Sequence, residues 1–267
     1  MNAESDKTNG ILNSRLAGVF IYIGQLWILF SAVLYNVLIT PFKQSKTIRR
    51  EATASMMLEA GLRSLPILLL INFLIGLILA MQSAYQLNKF GAGNMVSGLV
   101  GVTICREIGP LITAIMISAR VGASITAELG TMVVGEEIMA LQTMALRPIP
   151  FLVVPRFIAL VFMMPCLTII DDFIGISGGL LVGIFDLNMS IGLYLNGTIT
   201  SLTLTDLFTG LIKSVGFGAV IAIVACHEGL SVEGGAEGVG VSTTRSVVYS
   251  ILLIIITDLI FTTIFYL

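Results

Sequence analysis

At 267 residues, with 56% hydrophobic and 11% charged residues and a mean hydropathy of +1.00, the chain is excluded from the soluble globular class, where about a quarter of residues are charged. The composition calls for an all-α, polytopic membrane protein, because a bilayer forces every backbone polar group to be satisfied within the segment. The net charge of −2 says little about partners, and no nucleic acid is expected among them. Cys105, Cys166 and Cys226 lie scattered in apolar runs without CxxC spacing and read as small hydrophobes, not disulfides or metal ligands. Met1 to Gly10 is polar and lacks the basic, apolar, small-residue order of a cleaved signal.

In chain order, residues 16–42 carry no charge and run for about 27 residues, long enough to span a bilayer. A helix lying in one leaflet stays open for this stretch. A basic cluster follows (Lys43, Lys46, Arg49, Arg50, Arg63), with Glu51 and Glu59 among it. The first confident span is 64–88, where Gly76, Ala80 and Ala84 lie four apart and invite a close helix neighbour. A short connection around Lys89 predicts an antiparallel hairpin to the second span, 95–119, which holds Arg106 and Glu107. From Arg120 to Pro148 the chain is polar and acidic, with Ile138, Leu141, Met144 and Ala145 on one helical face and Glu137 off it, an amphipathic helix. The third span, 157–185, carries Asp171-Asp172 near its middle and the close-packing series Gly175, Gly179, Gly183. Residues 186–206 read as a polar link, 207–226 as the fourth span with Lys213, 227–242 as a glycine-rich loop, and 247–267 as the last span, interrupted by Asp258.

Orientation follows the placement of Lys and Arg in short loops. The 43–63 and 120–156 connections hold Lys43, Lys46, Arg49, Arg50, Arg63, Arg120, Arg147 and Arg156, whereas 86–95 and 186–206 hold Lys89 alone. The basic connections are therefore expected in the cytoplasm together with the N-terminus, and the C-terminus on the periplasmic side.

Charges at bilayer depth cost several kcal/mol unless they meet a partner or a water-filled cavity. Arg106 and Glu107 differ by about 100° around a helix and need not pair with each other. One reading makes them, with Lys213, a polar spot that meets a charged head group in an apolar cavity; the other makes them an ion-pair network between helices. The first is expected, because two cations with one carboxylate suit a phosphate-bearing amphiphile. Asp171, Asp172 and Asp258 allow an ion-coupled secondary transporter, or ties to neighbouring backbone and hydroxyl groups. His227 has no Cys or His partner at ligand spacing and implies no metal site. Gly175-Ile-Ser177-Gly178-Gly179 matches a nucleophile-elbow pattern, which requires a base such as His227 within hydrogen-bond reach. There is no GxxxxGK[ST] loop, so ATP is not bound by this chain and no cofactor is expected.

Several segments resemble, in order and at similar spacing, the MlaE (YrbE) family of permeases in MCE-associated ABC lipid transporters. They are Arg106-Glu107-Ile108-Gly109-Pro110, Ser118 to Ala123, Thr126 to Met132, Glu136-Glu137-Ile138 with Ala140-Leu141, Pro155-Arg156, Leu211 to Ser214, and the run from Gly235 to Thr244. The resemblance covers the chain from about residue 65 to the end. It implies a non-enzymatic homodimeric permease in a bacterial inner membrane, with a cytoplasmic ABC ATPase, a periplasmic MCE hexamer and often a STAS-domain protein, carrying phospholipid. It also implies an N-terminal interfacial elbow helix before five transmembrane helices, with residues 1–62 as tail, elbow and basic linker and 63–267 as the permease domain. Under the same resemblance, residues 128–146 form a coupling helix that engages the ATPase through Glu128, Glu136, Glu137, Ile138 and Leu141. Arg106, Glu107 and Lys213 match the charged positions of the lipid cavity.

Overall fold

The computed structural model describes residues 2–38 and 50–266, all helix and short connection with no strand among them. Residues 39–49, with Lys43, Lys46 and Arg49 of the basic cluster, lie outside the described residues. The elements are α1 (Asn2–Leu38), α2 (Arg50–Leu62), α3 (Leu65–Asn88), α4 (Val96–Thr103), α5 (Gly109–Ile117), α6 (Ala123–Val134), α7 (Glu137–Thr143), α8 (Val154–Phe185), α9 (Ile191–Ser201), α10 (Leu204–Leu230) and α11 (Gly235–Tyr266). Among the described residues, six helical stretches are long and apolar enough to cross a membrane, the first being Phe20–Leu38.

That first stretch packs by its aromatic side chains against the end of the bundle where α10 finishes. Tyr22 sets its ring edge-on to His227 and Tyr249, with centroids 5.2 and 5.0 Å apart, and Phe30 meets Phe157 at 6.2 Å. His227 lies in the last turn of α10 and Phe157 in the first turn of α8. Those turns belong to one end of the molecule: the Thr126 hydroxyl on α6 lies 3.1 Å from the Ala225 carbonyl oxygen and 2.8 Å from the Ser246 hydroxyl, and Arg156 pairs with Glu128 at 2.8 Å. Residues 22–30 therefore pack against that end of the bundle and along α10 toward Gly216.

The remaining helices form the bundle. α3 and α8 run side by side in the same direction, seated on glycine. A Cβ on Gly76 would overlap the Gly175 carbonyl, and one on Gly178 would overlap the Phe73 carbonyl. In lipid, where apolar burial drives no association, such backbone approach is what brings helices together. The segment from α4 to α6 is one bent rod with π-helical turns at Ile104–Ile108 and Ser118–Gly122. Pro110 supplies a local reason for the first: it has no N–H to return to the Arg106 carbonyl, so the regular ladder fails there.

Three stretches differ from their sequence-level reading. The polar link 186–206 contains α9, whose Tyr194 is fully buried against Gly179 and Gly183 and whose Thr198 donates to the Ser97 carbonyl at 3.2 Å. Alternating polar residues hid a helix that is amphipathic toward α4. The glycine-rich loop shrinks to Ser231–Gly234, because α10 continues to Leu230 and α11 begins at Gly235; Gly234 and Gly235 take positive φ of +88° and +69° to make the turn. Residues 50–62 of the basic linker form α2, which packs along α8. Finally, 128–146 is not one helix. α6 carries the span through Val134, Gly135 and Glu136 turn the chain (Glu136 at φ +58°), and α7 is a seven-residue helix.

Candidate functional site

Arg106 and Glu107 sit within the Ile104–Ile108 π-turn, and the extra residue of that turn swings the two side chains toward different partners. Arg106 grips Asp206: its Nε donates to Oδ1 at 3.0 Å and its Nη2 to the same oxygen. Asp206 is itself fixed, since its Oδ2 accepts from the Thr203 backbone N–H at 3.0 Å and from the Thr203 hydroxyl at 2.8 Å. This is a capping box at the start of α10, reciprocal bonds that satisfy otherwise orphaned N–H groups.

Glu107 turns the other way, to Lys213 on α10. Lys213 also donates to Thr262 at 2.7 Å and lies 2.9 Å from Asp258, both on α11. The Lys213 side chain is 0% exposed, whereas Arg106 and Glu107 keep 35% and 28% of their side-chain surface. Arg106, Glu107 and Lys213 are thus brought into one region, joined by Asp206, Asp258 and Thr262. The group holds two cations and three carboxylates, not two and one. Within this chain the Lys213 ammonium is enclosed by protein partners, while Arg106 and Glu107 present the open edges.

Sequence reasoning missed Asp206, which it left at the end of a polar link. A signal was there: Thr203-x-x-Asp206 before an apolar run is the capping-box pattern. Thr262 carried no such signal.

The other candidates separate. Asp171 is fully buried and accepts from Thr113 at 2.7 Å, and Asp172 lies against Gly109, while Asp258 belongs to Lys213. The three acids are held in two groups, with no cation paired to Asp171 or Asp172 among the described residues. Ser177 donates to the Ile174 carbonyl of its own helix at 2.7 Å. His227 meets Tyr22 edge-on and lies beside Glu228, 3.7 Å away, in the last turn of α10, so Ser177 and His227 are not paired as nucleophile and base.

At the end that carries the basic loops, Glu136 and Glu137 are exposed at the α6–α7 turn, with Ile138 and Leu141 turned partly inward against the core. Met139 and Met144 face outward. Glu128 is not part of this short helix. It sits on α6 and pairs with Arg156.

A sequence profile described as Permease MlaE matches residues 53–264. A probable ABC transporter permease protein of Rickettsia typhi is 39% identical over 237 residues, covering 89% of this chain and 90% of that one. The intermembrane phospholipid transport system permease protein MlaE of Haemophilus influenzae is 35% identical over 207 residues, 77% of this chain and 79% of that one. The chloroplastic protein TRIGALACTOSYLDIACYLGLYCEROL 1 of Arabidopsis thaliana is 32% identical over 214 residues, 80% of this chain and 61% of that one. With a glycine-seated helical bundle and a matched profile over most of its length, the chain belongs to the MlaE permease family.

Proposed function

We propose that this chain is the membrane subunit of an ABC transporter that moves phospholipid between the inner and outer membranes of a bacterium. In that assembly two copies enclose a cavity, an MCE-domain hexamer receives or delivers the lipid on the periplasmic side, and a separate ATPase, with or without a STAS-domain protein, works from the cytoplasm. The observation that carries this reading is the paired presentation of Arg106 and Glu107 from a π-turn inside a span, each anchored behind by a partner and each open on one edge.

Arg106 offers donors to a phosphate, and a guanidinium binds phosphate oxygens through charge-assisted hydrogen bonds. Glu107 offers an acceptor to the amine or hydroxyl groups of a head group. Lys213 holds Glu107 in place rather than reaching the lipid directly. Acyl chains need apolar walls, and burying them is worth about 0.8 kcal/mol per CH2, so lifting a lipid out of a bilayer is the costly step and calls for coupling to ATP. The α6–α7 turn, with Glu136 and Glu137 outermost and Ile138 and Leu141 rooted in the core, is suited to carry a push from the ATPase into the bundle.

The test is lipid transfer by the purified complex of this chain with its ATPase and MCE partners. Arg106→Ala and Glu107→Ala are expected to lower lipid occupancy and transfer while the complex stays assembled. Wild-type transfer by both variants would refute the head-group assignment, and transfer driven by an ion gradient with no ATPase present would replace it with the secondary-transporter reading.

A further inference from the structure

Apart from the Arg106 network, a cleft of ≈ 310 Å³ opens between α2, α6 and α8 at the end of the bundle that carries the basic loops. Arg63, Arg120 and Arg156 line it, together with Glu59 and Glu128. Both carboxylates are already engaged, Glu59 by Arg63 at 2.9 Å and Glu128 by Arg156 at 2.8 Å. Arg156 is 2% exposed and gives a second bond to the Leu152 carbonyl at 2.7 Å, while its Nε has no hydrogen-bond partner among the described residues. Arg120 is exposed and makes no ion pair or hydrogen bond among the described residues. The cleft is therefore left with one uncompensated positive charge and an unpaired buried donor.

Its inner wall is apolar, with Met56, Ile125 and Leu160. Beside its mouth, Leu58 and Leu62 project outward from α2 next to Glu59 and Arg63. Exposed leucines alternating with long charged side chains mark the level where acyl chains give way to head groups, and arginine stems lie along apolar surface there while their ends stay wet. A free inorganic anion needs the arginines but not the apolar wall or the leucines.

We propose that this cleft binds the phosphate of an anionic phospholipid from the leaflet at that end, with Arg120 as the contact the protein leaves open and the acyl chains along the outer face of α2. The site is distinct from the Arg106 network and does not depend on the transport reading. Anionic lipid is attracted to basic clusters just inside the membrane surface, each Lys or Arg adding a modest increment.

Native mass spectrometry of the full chain in mild detergent, titrated with phosphatidylglycerol or phosphatidylcholine, tests it. The expected result is preferential retention of phosphatidylglycerol over phosphatidylcholine, reduced about fivefold by Arg120→Glu and largely kept by Arg120→Lys. Equal binding of the two lipids, or no effect of Arg120→Glu, would overturn the proposal. Complete displacement of the lipid by equimolar inorganic phosphate would make the cleft a free-anion site and overturn it too. A phosphatidylglycerol preference kept in Arg120→Glu and lost in Arg106→Ala would assign the anionic lipid to the other site and overturn the proposal.

Discussion

Lys213 on α10 and Glu107 in the first π-turn form an ion pair between two helices that the chain separates by more than a hundred residues. With Asp258 and Thr262 of α11 also on the Lys213 ammonium, one side chain ties three spans together. Removing one member of a buried ion pair costs about 3–5 kcal/mol, because the partner charge stays behind unpaired.

Lys213→Met is accordingly expected to lower the melting temperature of the purified protein sharply. A triple variant with Glu107→Gln and Asp258→Asn, which takes the stranded carboxylates away, should recover much of that loss. Thermal unfolding followed by size-exclusion chromatography reads both. Equal destabilisation in the single and triple variants would mean that Lys213 acts through packing instead.

Asp206 holds Arg106 from behind and caps α10 at the same time. Asp206→Ala should cost about 1 kcal/mol of stability for the lost cap and should release Arg106 from its fixed direction. Lipid transfer should fall more than stability does, whereas Asp206→Glu should keep transfer closer to wild type. Transfer unaffected by Asp206→Ala would show that the direction of Arg106 does not matter.

Gly178 on α8 sits against the Phe73 carbonyl of α3. Gly178→Val must push the two helices apart, at a cost of at least about 1–3 kcal/mol for overpacking. Low yield of folded protein is expected, while Gly192→Ala, where nothing lies within 4 Å, should behave as wild type.

Glu136 and Glu137 are exposed at the α6–α7 turn, whereas Glu128 is paired to Arg156. Charge reversal of the first two (Glu136→Lys with Glu137→Lys) should lower ATPase activity in the complex while lipid occupancy of the isolated chain stays unchanged. Glu128→Gln should instead loosen α6 from α8 and show in the melting temperature. Normal ATPase activity with Glu136 and Glu137 reversed would move the motor contact elsewhere.

The span pattern was legible because hydropathy over twenty-residue windows is a property of composition, and α3, α8 and α10 lie where apolar runs place them. Glycine spacing in α8 announced a close neighbour, though not that the neighbour was α3. α9 was not legible, since a short helix packed by Tyr194 and Thr198 against small residues leaves no long apolar run. The 128–146 stretch looked like one amphipathic helix because periodicity does not register a single residue in left-handed conformation such as Glu136.

By itself the sequence determined that this is a helical membrane protein with ionised residues at bilayer depth. Both follow from local quantities, the cost of exposing peptide groups to lipid and the cost of burying charge there. Which charges meet was decided by the tertiary structure. Arg106 and Glu107 are neighbours in the chain, yet one faces the start of α10 and the other its middle and α11, because a π-turn sets their directions and ion pairing depends on distances between helices that no stretch of sequence contains.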